Sequence, residues 1–436
     1  MTGRPDRLCA LRAAVGAPLP SPGAMAAFRD RALRNLVAHA YGRVPYYRRL
    51  FDCHGLRPRD IRTVADLPAI PISDKNDLRA VRARDLVAGG LDPERLLRVT
   101  TSGVSGEPFT VRRTRLEKRL MAGFWMRAHR HLGARTSDRV AVVRFLRTGV
   151  GHDPTPDRRL ANAFGRFRHR MVDCTREASD ILRVLRDYRP DTLMAYAGVL
   201  MRLAEEMTDA DRRVLRPRLV MAGGEVLTPA MRRHIRQAFG APVYGLYGAH
   251  ELNLIAWDCP PTGEMHTCDD GVILEVIRDG RPAAPGEQGE PVVTNLHSYA
   301  MPFIRYRLGD IVTQGLPACA CGAPFATIRA VLGRTIDYFP LPDGRRMHPN
   351  QITRALYRDA PWLYHYQVVQ KRKDLVVLRA VARPAPAPEQ LRLLEDRVRS
   401  VLGPTVTFHT EIVSALPASS GGKTRALVSE VPRDEA

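Results

Sequence analysis

Three short segments carry residue types suited to phosphate and carboxylate chemistry. Thr100-Thr101-Ser102-Gly103-Val104-Ser105-Gly106-Glu107-Pro108 sets hydroxyls and glycines directly after the apolar run at 96–99. Free backbone N–H groups and hydroxyls in a turn that glycine permits form a cradle for phosphate oxygens. The spacing is not that of a Walker loop, because Gly103 and Gly106 stand too close together and no Gly-Lys-Ser/Thr follows. Tyr244-Gly245-Leu246-Tyr247-Gly248-Ala249-His250-Glu251 ends a strand-like run with an aromatic, a glycine and a carboxylate. The carboxyl ends of parallel strands are where open α/β sheets bind ligands, and a glutamate there can hold Mg2+. Near the tail, Lys423 lies in the small-residue stretch Pro417-Ala418-Ser419-Ser420-Gly421-Gly422-Lys423-Thr424-Arg425. In a chain with five lysines against 62 arginines, a lysine in such a loop points to a compact ammonium rather than a planar guanidinium. Each segment also has a plainer reading: a polar loop, a strand end with a surface glutamate, and a surface lysine.

A separate constellation joins Cys259 and His266, seven positions apart, to Cys319 and Cys321, which Gly322 follows. Two thiolates on a tight turn with a thiolate and an imidazole from another loop supply the tetrahedral set of three sulfurs and one nitrogen that Zn2+ favours. No open position remains, so the role is structural. The alternatives are free core thiols, or Cys268 as ligand in place of His266. His297 and His348 read as structural histidines.

The elements that position these groups follow from periodicity. Helical spacing predicts a helix over 24–41 that stops at Pro45, Tyr46 and Tyr47, and further helices near 114–133, 176–188, 197–207 and 228–239. Between them, 140–145, 192–196, 218–223 and 242–248 read as strands, and the alternation implies parallel βαβ units. From about 271 closely spaced strands follow, at 271–277 and 290–296. A turn-rich hairpin around Pro342, Asp343 and Gly344 precedes strands near 365–370 and 375–380, a helix near 388–402 and a last strand near 405–411. The fold class expected is therefore a large α/β N-terminal domain with parallel βαβ units and a β-rich part, residues 1–335, and a small α+β C-terminal domain, residues 336–436.

Composition narrows the function. With 436 residues, 44% hydrophobic and 26% charged, the chain is of the globular kind, long enough for two or three domains at roughly 150 residues each. Its formal net charge of +21 comes from arginine spread along the whole chain, in short clusters without interleaved aromatics, so a nucleic-acid partner is not expected. No apolar run reaches the roughly 18 residues of a membrane span, and no export signal is read. Seven cysteines make no disulfide framework at this length, and the expected setting is the reducing cytoplasm.

Taken together and in order, the segments resemble the adenylate-forming superfamily of acyl-CoA synthetases, peptide-synthetase adenylation domains and luciferases, most closely its phenylacetate-coenzyme A ligase branch. The resemblance runs through VPYYRRLF (44–51), Pro71-Ile72-Ser73-Asp74-Lys75, TTSGVSGEP (100–108), AGGEVLT (222–228), YGLYGAHE (244–251), Arg305-Tyr306-Arg307-Leu308-Gly309-Asp310, Gly333-Arg334-Thr335-Ile336-Asp337 and SGGKTRAL (420–427). It implies that Thr101, Ser102, Gly103, Ser105 and Gly106 hold the ATP phosphates. Gly223, Gly224 and Glu225 with Tyr244, Gly245 and Tyr247 would line the adenine and acyl pocket. Glu251 would bind Mg2+, Asp310 the ribose hydroxyls and Arg334 ribose or phosphate. Asp337 falls at the interdomain hinge, and Lys423 bridges the substrate carboxylate and the α-phosphate. Phe124, Trp125 and Tyr196 are possible acyl-pocket walls, although their spacing equally suits a core.

Three positions depart from the superfamily pattern. His250, read as a catalytic position, stands where threonine is usual. Phe109 stands where lysine is common, leaving Arg112 or Arg113 as substitute cations. Residues 338–348 lack the usual glycine-rich turn after the hinge. The implied activity is ATP-dependent activation of an aryl or small aliphatic acid through an acyl-adenylate, followed by transfer to coenzyme A. Transfer to an amine, as in an amide synthetase, or to a carrier-protein thiol is the alternative within the same chemistry. A basic nucleic-acid-binding protein or a catalytically silent relative are the readings outside it.

Overall fold

A computed structural model describes residues 19–100, 109–146, 168–334, 339–347, 352, 355–356, 360, 362–416 and 427–431. The chain opens with helices α1 (Pro22–Arg43) and α2 (Pro45–Cys53). The sequence predicts a helix stop at Pro45 to Tyr47; the break instead falls on Val44, which is extended at φ −112° and ψ 111°, and Pro45 starts a new helix. Proline is well placed there, because its missing N–H would have no partner in a first turn and its φ is already helical. Leu33, Leu36, Val37 and Ala40 of α1 recur at helical spacing and pack with Tyr47, Phe51, Ile273 and Ile304.

Strands β1 (Leu97–Thr100) and β2 (Thr110–Arg113) form an antiparallel hairpin with Leu97 opposite Arg113 and Thr100 opposite Thr110. Helix α3 (Arg115–His131) follows at once. Its start is a capping box: Thr114 Oγ1 accepts from Glu117 N at 3.1 Å, and the Glu117 carboxylate accepts from Thr114 N at 2.7 Å.

The parallel half of the large sheet comprises β3 (Arg139–Arg144), β4 (Arg168–Asp173), β5 (Thr192–Ala195), β6 (Leu219–Gly223) and β7 (Val243–Ala249), in the order β4-β3-β5-β6-β7. Helices α4 (Ala178–Tyr188), α5 (Ala197–Glu206) and α6 (Pro229–Phe239) make crossovers. Their apolar faces, including Leu182, Leu200 and Ile235, bury against Leu193, Val220 and Val243 of the strands. This is the βαβ arrangement that the alternation of patterns predicts. Strand β4 escapes a reading from pattern, because Arg168, His169 and Arg170 are exposed on a sheet edge and show no apolar alternation.

Past β7 the pairing turns antiparallel through β8 (Asn253–Asp258) and β9 (Met265–Thr267). The sheet continues through β10 (Val272–Arg278), β11 (Arg281–Pro282), β12 (Gln288–Asn295), β13 (Tyr306–Arg307), β14 (Asp310–Gln314) and β15 (Thr327–Arg334), thirteen strands in all among the described residues. A separate C-terminal region begins with the hairpin β16 (Phe339–Pro340) and β17 (Arg346–Met347), turning at Asp343-Gly344 as expected. Strands β18 (Leu363–Arg372) and β19 (Leu375–Ala382), helix α7 (Pro388–Leu402) and strands β20 (Thr407–Ile412) and β21 (Leu427–Ser429) complete a four-stranded sheet in the order β20-β19-β18-β21. The region has its own core of Phe339, Trp362, Val368, Leu378, Val398 and Phe408. The sequence reading places the last strand near 405–411. The three residues of β21, too few to show a period, add a further strand parallel to β18.

Candidate active site

The sequence Gly245-Leu246-Tyr247-Gly248 builds the sheet's turning point. Gly245 lies against β8: its N–H donates to Asp258 Oδ2 at 2.6 Å, and a Cβ there would stand 3.3 Å from Oδ1. Arg232 of α6 donates to the same carboxylate oxygen at 2.5 Å, so helix, strand and turn are fixed together. A Cβ at Gly248 would meet the Asn253 carbonyl oxygen at 2.6 Å and Trp125 Cζ2 at 3.2 Å, so only glycine fits. Asn253 itself adopts φ 72°, which reverses the chain from β7 into β8. Trp125 Nε1 donates to Asn253 Oδ1 at 2.8 Å, bracing this turn from α3.

Glu251 sits in that turn and is buried, 7% exposed, whereas His250 beside it is exposed. Tyr306 Oη lies 3.4 Å from Glu251 Oε1, and Arg113 Nη2 donates to the Glu251 carbonyl oxygen at 2.7 Å. Asp310 opens β14 directly opposite Arg334 of β15, and Tyr247 Oη donates to Asp310 Oδ2 at 2.7 Å. The fold therefore gathers Tyr247, Glu251, Asp310 and the Arg334 backbone, 63 residues separating Tyr247 from Asp310, around the carboxyl ends of β6 and β7.

Other expected site residues have contacts of their own within the fold. Glu225 Oε2 accepts from Gly198 N at 2.7 Å, at the amino end of α5. Gly223 lies against β7, where a Cβ would stand 3.3 Å from the Leu246 carbonyl oxygen, and Gly224 has φ 76°. Tyr244 is half-buried, and Tyr196 is the N-cap residue of α5. Phe124 is core, and His297 is buried with Nε2 2.7 Å from the Asp270 carbonyl oxygen. Phe109 is also core, Arg112 stands 3.7 Å from Glu94, and Arg113 is turned to the Glu251 turn. Thr101, Ser102, Gly103, Ser105, Gly106, Asp337, His348, Lys423 and the Arg334 side chain lie outside the described residues.

The contact of Arg113 with the Glu251 turn, and the place of Tyr306 beside it, emerge only from the structure. Tyr306 falls within a motif but carries no signal of its own there. Arg305, its neighbour, is spent on Glu275 at 3.0 Å and on the carbonyl oxygens of Pro68 and Ile70, which fasten the 58–73 segment to the sheet.

Behind the site, Cys259, His266, Cys319 and Cys321 bring their ligand atoms within 4.8 Å of one another. Cys259 and Cys319 Sγ are 3.7 Å apart, and His266 Nε2 is 3.2 Å from Cys321 Sγ. Tetrahedral ligation at a metal–sulfur distance of about 2.3 Å places two sulfurs about 3.8 Å apart, so the donor set and its geometry fit zinc. Burial, with His131 and Arg127 nearby, holds the His266 imidazole down to about 4, which keeps it neutral as a ligand must be. Cys268 does not join the cluster. Its Sγ lies 3.4 Å from Arg127 Nη2, in the buried Arg127–Asp270 ion pair.

No protein-family profile matches the chain. Among curated proteins it is 30% identical to the phenylacetate-coenzyme A ligase of Pseudomonas putida over 413 residues, covering 89% of this chain and 90% of that protein. It is 29% identical to the phenylacetate-coenzyme A ligase of Thermus thermophilus over 438 residues, covering 92% and 96%. A crystal structure of 2-hydroxyisobutyryl-CoA ligase in the postadenylation state superposes with a TM-score of 0.76 at 22% identity, covering 93% of this chain and 89% of that one. At that identity the match is one of fold, that of an adenylate-forming CoA ligase. The relatedness to the Pseudomonas putida enzyme over nine-tenths of both chains carries further: this chain belongs to the phenylacetate-coenzyme A ligase family.

Proposed function

We propose that the protein is an AMP-forming acid–thiol ligase that activates a carboxylic acid with ATP and passes the acyl group to coenzyme A. The observation that carries this reading is the gathering of Glu251 and the Tyr247–Asp310 pair at the carboxyl ends of β6 and β7, in a chain of this family. In the first step a substrate carboxylate oxygen attacks the α-phosphorus, the bond to the bridging oxygen of pyrophosphate breaks, and an acyl-adenylate forms. In the second a thiolate attacks the acyl carbonyl carbon and AMP leaves.

The residue roles follow from chemistry. Asp310, a two-oxygen acceptor, takes the ribose hydroxyls, and Tyr247 holds its second oxygen in place. Mg2+ travelling with ATP neutralises phosphate charge, and Glu251 would hold it. Hydroxyls and amides of Thr101, Ser102, Gly103, Ser105 and Gly106 bind the departing pyrophosphate, and the Lys423 ammonium meets the charge that builds on the α-phosphoryl oxygens. Gly223 and Gly224 with Tyr244 border the nucleotide and acyl pocket, Arg334 stands beside the ribose, and His250 faces the reacting carboxylate. Residues 336–436 act as a mobile unit hinged at Asp337, closing to shield the hydrolysable adenylate from water and then exchanging Lys423 for the acceptor.

The Cys259, His266, Cys319 and Cys321 set holds a structural Zn2+, supported by its geometry. The described cysteines form no disulfide, which favours a reducing, cytoplasmic setting. Among the described residues no helix is long and apolar enough to cross a membrane. Pyrophosphate exchange into ATP across a panel of aryl and aliphatic acids tests the first step. Adding coenzyme A, an amine or a phosphopantetheinyl carrier protein to the responding acid then decides the acceptor.

A further inference from the structure

We infer that Arg113 is a positioning residue for adenylate formation, holding the turn that carries Glu251 against the base of the β1–β2 hairpin and the start of α3. The inference rests on the function proposed above. The hairpin β1–β2 is an isolated two-stranded sheet of four residues per strand, an arrangement with little stability of its own. Its base, where β2 runs into α3, is where it meets the turn that carries Glu251.

Arg113 is that base residue, opposite Leu97. Its Nη2 donates to the Glu251 carbonyl oxygen at 2.7 Å across 138 residues of sequence. Both residues are buried, Arg113 at 9% exposure and Glu251 at 7%. A buried guanidinium requires nearby opposite charge. Glu117 and Glu251 supply it, against the burial that lowers the affinity of Arg113 for its proton. Glu117 is itself held rigidly: its carboxylate accepts from the amides of Thr114 at 2.7 Å, Tyr299 at 2.6 Å and Ala300 at 2.7 Å, and from Thr114 Oγ1 at 2.9 Å. Arg113 thus stands between a fixed scaffold, the start of α3, and the Glu251 turn.

Among the described residues, the hydrogen bond to the Glu251 carboxylate itself is the long 3.4 Å approach of Tyr306, so its aim is set largely through the backbone that Arg113 grips. Arg113 Nε is buried without a partner, an uncommon cost in a folded protein. A lysine or glutamine would have avoided it; the reach of the long, planar side chain to the Glu251 carbonyl accounts for the arginine. One bond then fixes the Glu251 turn against the hairpin base.

The test uses the full-length protein with Arg113→Gln and Arg113→Lys. Two readings are taken: the MgATP concentration that gives half of the ligand-induced rise in melting temperature, and the KM values for MgATP and for the acid in pyrophosphate exchange. Arg113→Gln is expected to raise both MgATP values by about tenfold or more, the size of a lost charge-assisted hydrogen bond, and to leave the acid KM unchanged. Arg113→Lys, which keeps the charge and a donor, is expected to recover most of that loss. Unchanged MgATP values in folded Arg113→Gln, or in Arg113→Lys where Arg113→Gln does not fold, or equal changes in the two KM values that track a lower ligand-free melting temperature, would overturn the inference. Should Arg113→Gln not fold, Arg113→Lys decides alone: a rise of about threefold in the MgATP values with an unchanged acid KM is the expected result. A wild-type protein that MgATP does not stabilise and that exchanges no pyrophosphate contradicts the ligase function and this inference with it. A responsive wild type beside an unaffected Arg113→Gln contradicts the role of Arg113 alone.

Discussion

The phenol of Tyr247 donates to Asp310 Oδ2 at 2.7 Å, and this bond joins the end of the parallel half of the sheet to the first residue of β14. It fixes the direction in which the Asp310 carboxylate points. An acceptor aimed in advance loses less entropy when it captures a hydroxyl pair, which is the physical meaning of a preorganised nucleotide site.

Removing the aim costs less than removing the acceptor. Tyr247→Phe is expected to raise the KM for ATP about fivefold, the size of one ordinary hydrogen bond, and Asp310→Ala by about thirtyfold or more. In the double variant the tyrosine change adds almost nothing, because its partner is already gone. Initial rates at graded ATP check all three, and additive effects would contradict the coupling.

Lys423→Ala is expected to lower the adenylation rate by at least about a hundredfold while the affinity for ATP stays within a few-fold of wild type. Pyrophosphate exchange and the ATP-induced rise in melting temperature read the two quantities separately. Turnover that survives the substitution removes this lysine from the chemistry.

The sulfur-rich cluster predicts about one zinc per chain by elemental analysis, with loss of the metal in Cys319→Ser and a melting temperature lower by about 5–10 °C. A metal-free protein of undiminished stability contradicts the zinc site. The Tyr247–Asp310 bond lies outside the cluster, so residual activity per folded molecule is expected to persist.

Burial pushes the His129 imidazole down to about 4, from an ordinary value of 6.5. Below pH 6.5 the unfolded chain takes up a proton that the native side chain refuses until about pH 4. Stability is therefore complete above 6.5 and declines as pH falls through that window. Urea midpoints from pH 8 to pH 4 are expected to fall less steeply in His129→Gln than in wild type. Parallel slopes would show that His129 contributes nothing to the decline.

Much of this architecture is legible in the sequence because it rests on local signals. The helix near 388–402 coincides with α7, since Leu394, Val398 and Leu402 recur on one face and Pro388 starts the helix. The parallel strands show as short apolar runs for the same reason. Strand β4 does not, because its arginines face solvent at an edge, and the restart after Val44 is concealed because Pro45 can either end one helix or begin the next. The cysteine set could be read because thiols are scarce in this chain. The Arg113–Glu251 and Tyr247–Asp310 bonds could not, since each joins residues that only the folded sheet brings together. Nor does the Glu225 motif reveal that its carboxylate accepts from the amide of Gly198 at the start of α5.

The most direct measurement of the central claim is the exchange of labelled pyrophosphate into ATP by the purified protein, without any acceptor, across aryl and aliphatic acids. Exchange that depends on one class of acid, and that the Asp310→Ala variant approaches only at high ATP, is the predicted result. A protein that binds ATP but exchanges no label with any acid would contradict adenylate formation and leave a catalytically silent member of the family.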